Sequence, residues 1–108
     1  MIYTIEQLQA LIRPIAEEYH LPAVYLFGSY ARGTATEDSD VDLIVDTTGT
    51  GLTSLMTLGG LYCALEAALH KPVDLITVSA LQQSVQMPSE QDFRETVMKE
   101  RVKLYAAA

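Results

Sequence analysis

Two aspartates, Asp40 and Asp42, flank the start of a run of strand-forming residues, Val41-Asp42-Leu43-Ile44-Val45. Alternate residues of an extended chain share a face, so both carboxylates project the same way, about 6–7 Å apart. Asp is disfavoured in strands, and like charges on one face repel. The pair persists best where a divalent cation neutralises it, and hard carboxylate oxygens suit Mg²⁺. A third acid, Asp74, enters the apolar run Val73-Asp74-Leu75-Ile76, where a lone carboxylate wants a partner. If the two strands are neighbours, three carboxylates can hold one or two metal ions, the arrangement used for in-line attack on a phosphoryl group.

A glycine turn precedes the acids: Gly28-Ser29-Tyr30-Ala31-Arg32-Gly33. Gly28 follows an apolar run and permits a tight turn with close backbone approach. Ser29 opens the next helix, where free N–H groups attract phosphate oxygens and its hydroxyl adds a donor. Arg32 could neutralise the phosphate or hold an acid. A phosphate cradle and a metal triad this close in sequence point to a nucleoside triphosphate.

The elements that must position these residues alternate. Thr4-Ile5-Glu6-Gln7 forms a capping-box pattern, followed by apolar residues at helical spacing from Ile5 to Tyr19. Pro14 interrupts this helix, which is expected to end near His20. Ala23–Phe27 reads as a strand, Gly28–Ser39 as a turn, short helix and loop, and Val41–Val45 as a second strand. Leu52–His70 reads as a helix weakened by Gly59-Gly60, and Val73–Val78 as a third strand. Ser89 is expected to cap a helix reaching about Glu100, with a short edge element over Val102–Tyr105. The order α-β-α-β-α-β-α implies a mixed α/β domain with a small sheet flanked by helices. Sheet order and strand direction are not readable from the pattern.

The chain has 108 residues, 49% hydrophobic and 19% charged. That is globular composition, and the length suits a single domain over residues 1–108. A net charge of −7 argues against direct binding to a nucleic-acid backbone, which needs clustered Lys and Arg. Cations can still bridge acids to the phosphates of a nucleotide. No basic leader or membrane-length apolar run is visible, and a lone cysteine, Cys63, fits a reducing compartment. The expectation is a cytoplasmic protein that does not enter a membrane.

Gly28-Ser29-Tyr30-Ala31-Arg32-Gly33 joined to Ser39-Asp40-Val41-Asp42-Leu43 resembles the signature of the DNA polymerase β-like nucleotidyltransferase superfamily, in particular its minimal nucleotidyltransferase (MNT) branch. Asp74 matches the third carboxylate of that family, and the resemblance covers nearly the whole chain. It implies a small nucleotidyltransferase-type sheet and use of ATP with Mg²⁺, two ions, held by Asp40, Asp42 and Asp74. Asp74 would also help activate the incoming hydroxyl. Gly28, Ser29, Arg32 and Ser39 would bind the nucleotide, and Arg32 could equally brace the turn. MNT proteins are similar to the antitoxin halves of toxin–antitoxin modules whose partners are HEPN-domain ribonuclease toxins, and some transfer AMP to a toxin tyrosine. The resemblance therefore implies a protein adenylyltransferase, with a non-catalytic antitoxin that binds its toxin directly as the alternative.

Other residues read as structural. Glu37, Asp38 and Asp46 are loop acids, although Asp46 could lie near the metals. Cys63 reads as a small core residue, and His20 and His70 as helix C-terminal residues. Arg13 and His20 superficially fit the Arg-x(4–6)-His spacing of HEPN ribonucleases, but Pro14 and the strand content argue against it. Tyr30 could shape a nucleotide pocket. Between Asp46 and Lys71 the only charged residue is Glu66. The apolar residues there exceed one helical face, which suggests contact with another chain.

Overall fold

The capping box forms as the sequence requires. Gln7 N–H donates to Thr4 Oγ1 at 3.1 Å, and Thr4 N–H donates to Gln7 Oε1 at 2.8 Å. They start α1 (Ile5–Glu18), which runs through Pro14 and buries Leu8, Ile12, Ile15 and Ala16 on one face. The computed structural model describes residues 2–52, 54–83 and 95–107. Beyond α1 it contains β1 (Ala23–Phe27), α2 (Gly28–Arg32), β2 (Val41–Asp46), α3 (Leu55–Leu69), β3 (Val73–Thr77) and α4 (Val78–Gln83). A helical stretch over residues 95–100, here α5, and β4 (Val102–Ala106) follow.

The strands form one mixed sheet in the order β3-β2-β1-β4. β1 runs antiparallel to both β2 and β4, and β2 runs parallel to β3. The parallel pair requires a crossover, which α3 supplies. Alternation along β2 divides the core. Val41, Leu43 and Val45 pack with residues of α1 and α3 in the main cluster. Ile44 packs on the opposite face with Phe27 and Val97 in a smaller one. The mixed α/β fold and the three apolar strands agree with the sequence reading.

Several local expectations shift. Helix α3 starts at Leu55 rather than Leu52, because Ser54 caps it: Thr57 N–H donates to Ser54 Oγ at 3.2 Å, and Ser54 N–H donates to Thr57 Oγ1 at 3.2 Å. Val78 leaves the third strand to begin α4, where Thr77 Oγ1 accepts the Ala80 N–H at 3.0 Å. The expected cap at Ser89 lies outside the described residues. Cys63 is exposed, not core. An apolar helix does not announce which side faces in, and here Leu61, Leu65 and Leu69 are buried while Met56 is 87% exposed. His20 and His70 adopt positive φ, His20 just beyond the α1 C-cap Tyr19 and His70 as the C-cap of α3.

Candidate functional site

The site forms where three chain segments meet at one end of the sheet. Phe27, the last residue of β1, pairs with Asp42 of β2. Asp42 in turn pairs with Asp74 of β3. Register partners share a face, so Asp42 and Asp74 lie on the side of Phe27, Ile44 and Ile76, opposite α1 and α3. Asp40 stands just before β2 begins.

Gly28 explains the close geometry. Its φ of +71° is one that residues with a Cβ adopt only with strain. A Cβ there would overlap the Asp42 carboxylate and stand 3.0 Å from its Cγ. Glycine thus lets the backbone turn directly against the carboxylate. Helix α2 starts at this point with no side-chain cap, so its first N–H groups are not capped by Phe27. It ends at Gly33, again in the left-handed region, with Gly33 N–H returning to Ser29 O.

Burial raises the Asp42 carboxyl from its usual 3.8 to about 6, with the charges of Asp74 and then Asp40 adding to the rise and Arg32 opposing it. Asp42 therefore sits where negative charge is already concentrated, and a cation would relieve it. Among the described residues no three His, Cys, Asp or Glu side chains form a ready-made metal cage. The donor chemistry nevertheless suits a hard divalent ion: carboxylate oxygens only, mutually repelling, one of them partly desolvated. Asp74 is exposed, not enclosed, because β3 is the edge strand and only Val73 in it is buried.

The remaining expected site residues are divided. Ser29 lies beside Gly28 in α2. Arg32 reaches across to Glu100, Nη1 to Oε2 at 3.2 Å, a partner 68 residues away. Ser39 holds its own loop: its Oγ accepts the Thr36 N–H at 2.8 Å. It lines an open cavity of about 520 Å³ with Glu37, Asp38, His70 and Lys71, none of which the sequence placed at the site. Tyr30 is buried in the main core. Asp46 pairs with Ala23 at the other end of β2, four positions from Asp42's partner Phe27 by register, and its Oδ1 accepts Thr48 N–H at 2.9 Å. No local pattern in the sequence announces the Arg32–Glu100 pair.

The profile of the "Polymerase beta, Nucleotidyltransferase" family matches residues 10–106. The chain belongs to this nucleotidyltransferase family. A protein adenylyltransferase MntA of Thermococcus cleftensis is 35% identical to this nucleotidyltransferase over 86 residues, covering 76% of this chain and 85% of that relative. A crystal structure of a toxin–antitoxin with AMP-PNP contains a chain of TM-score 0.69 and 25% identity, covering 92% of this chain and 73% of that one. The structure of tri-AMPylated Shewanella oneidensis HEPN toxin in complex with MNT antitoxin contains a chain of TM-score 0.65, covering 96% of this nucleotidyltransferase and 74% of that chain; at 21% identity this likeness shows the fold. Among the described residues no helix is long and apolar enough to cross a membrane.

Proposed function

We propose that this nucleotidyltransferase moves AMP from ATP to a tyrosine hydroxyl of a partner HEPN-type toxin and thereby acts as an antitoxin. The observation that carries this reading is the apposition of Gly28 to the Asp42 carboxylate with Asp74 in register beside it. The likeness to a relative named protein adenylyltransferase and to a toxin–antitoxin chain solved with AMP-PNP supports the acceptor and the nucleotide. The chain acts as a single domain over residues 1–108, in the cytoplasm.

In this reading the acceptor oxygen attacks the α-phosphorus, the bond to the β-phosphate oxygen breaks, and pyrophosphate leaves. Gly28 and the uncapped N–H groups of α2 receive the phosphates. Ser29 adds a hydroxyl donor, and Arg32 adds positive charge. Ser39 supports the nucleotide side indirectly by fixing the loop that leads into Asp40. Asp40, Asp42 and Asp74 would hold Mg²⁺, two ions, which when bound supply charge to the phosphates and the reacting oxygens. Asp74, exposed at the sheet edge, would take the acceptor's proton. The protein's main task is to position charge.

The deciding experiment incubates ATP labelled at the α-phosphate, Mg²⁺, this chain and its partner toxin. Label is expected to remain covalently on the toxin with the wild type and not with the Asp40→Asn, Asp42→Asn double variant. No label, with equimolar neutralisation by both versions, would establish a binding antitoxin instead.

A further inference from the structure

Arg32 lies four residues beyond Gly28 in α2, so the two positions share a helix face. Gly28 touches the Asp42 carboxylate. The charge of Arg32 is felt at Asp42, where it opposes the rise of the carboxyl, and an unpaired guanidinium would be drawn to that carboxylate. Its ion pair goes elsewhere, to Glu100 Oε2 at 3.2 Å. Glu100 closes α5, the helix pinned by Val97, which is 3% exposed and packs on Phe27 and Ile44. Phe27 immediately precedes Gly28, and Ile44 lies two residues after Asp42. The carboxylate of Glu100 is therefore anchored to the same two strands that build the site.

The pair is half exposed, 49% at Arg32 and 35% at Glu100, and such bridges add little to stability. Its value lies in direction. A guanidinium has five N–H donors in a rigid planar fork. Glu100 takes one Nη1 donor of that fork, which restrains where the guanidinium can turn. Without Glu100 the arginine is free to turn toward Asp42, withdrawing its donors from an incoming triphosphate.

We propose that Glu100 is a positioning residue, holding the Arg32 guanidinium off Asp42 with its free N–H donors turned toward the triphosphate over Gly28 and Ser29. This rests on the nucleotidyltransferase reading above and deepens it.

Steady-state transfer kinetics with varied ATP and saturating Mg²⁺ test it, alongside calorimetric ATP binding. Glu100→Gln is expected to raise KM for ATP about 5–20-fold, the size of a charge-assisted contact, with kcat within about twofold. Glu100→Asp should recover part of the loss, because the charge remains. Arg32→Ala should raise KM at least as far, and adding Glu100→Gln to it should change nothing more, because Glu100 acts only through Arg32. A KM unchanged in Glu100→Gln overturns the proposal, as does a further rise in the double variant. A fall in kcat at unchanged KM overturns it too. If the wild type binds no ATP, the nucleotide reading fails and this inference with it. If the wild type binds and transfers normally while Glu100→Gln matches it, only the role of Glu100 fails.

Discussion

The tetrapeptide Val-Asp-Leu-Ile occurs twice, as Val41–Ile44 in β2 and Val73–Ile76 in β3, and the two copies pair residue for residue in parallel register. Their surroundings differ. β2 is an interior strand with Val41, Leu43 and Ile44 fully buried, whereas β3 is an edge strand whose Leu75 and Ile76 are only partly covered. Asp42 consequently sits against Gly28, partly desolvated, with its carboxyl raised to about 6, while Asp74 is exposed. The same four residues thus supply two unlike carboxylates. Position in the sheet, not local sequence, decides which carboxylate is constrained and which is open to solvent.

The sharpest way to break this comparison is to neutralise each aspartate in turn. Asp42→Asn is expected to reduce transfer at least about 1000-fold, since metal-type charge stabilisation is worth several kcal/mol. Asp74→Asn should fall less, about 100-fold. A larger loss at Asp74, measured by label transfer, would reverse the assigned order. The leucines offer a stability version. Leu43→Ala should cost about 2–5 kcal/mol because Leu43 is fully buried. Leu75→Ala should cost about 1 kcal/mol. Equal urea midpoints for the two would refute the distinction between centre and edge.

Gly28→Ala tests the close approach that makes Asp42 special. The left-handed backbone alone should cost about 1–2 kcal/mol, and displacement of the Asp42 carboxylate should remove most transfer even where the protein stays folded. Full activity in a folded Gly28→Ala protein would deny that the contact matters.

The smallest effect is the pH dependence of stability without metal. The folded carboxyl of Asp42, about 6 against a usual 3.8, holds its proton more tightly than the unfolded chain does. Ionised Asp42 therefore weakens the fold, and its contribution becomes less favourable as pH rises from about 4 to 6. Asp42→Asn should match the wild type near pH 4 and exceed it above pH 6, by on the order of 1 kcal/mol once solvent screening is allowed for. Denaturation curves in chelator at several pH values check this, and a variant less stable than wild type at pH 7 would contradict the assigned cause.

Much of this was legible in the sequence, and the limits are physical. The strands carrying Asp42 and Asp74 declare themselves as short apolar runs, and Thr4 with Gln7 announces the first helix because capping is local. Strand order was hidden, because pairing between Val41 and Val73 depends on contacts 32 residues apart. Val78 looked like more strand because it is β-branched, and only the Thr77 hydroxyl bonding to Ala80 shows where the helix takes over. Cys63 was misplaced because α3 is apolar on every side, so periodicity gave no orientation. Glycine at position 28 was legible as a turn, but its collision with Asp42 was not, since that contact joins a helix start to a neighbouring strand. Glu100 stayed invisible for the same reason at longer range.

The parallel union of β2 and β3 also sets an order of assembly. Gly28 and Asp42 are fourteen positions apart and can meet through a short loop closure, whereas Asp74 arrives only after the α3 crossover has been threaded and docked. Non-local pairing is the slower event, and it brings a second negative charge up to the first. Docking of β3 is therefore a step opposed by repulsion. Divalent cations should hasten refolding mainly by easing the closure of that strand.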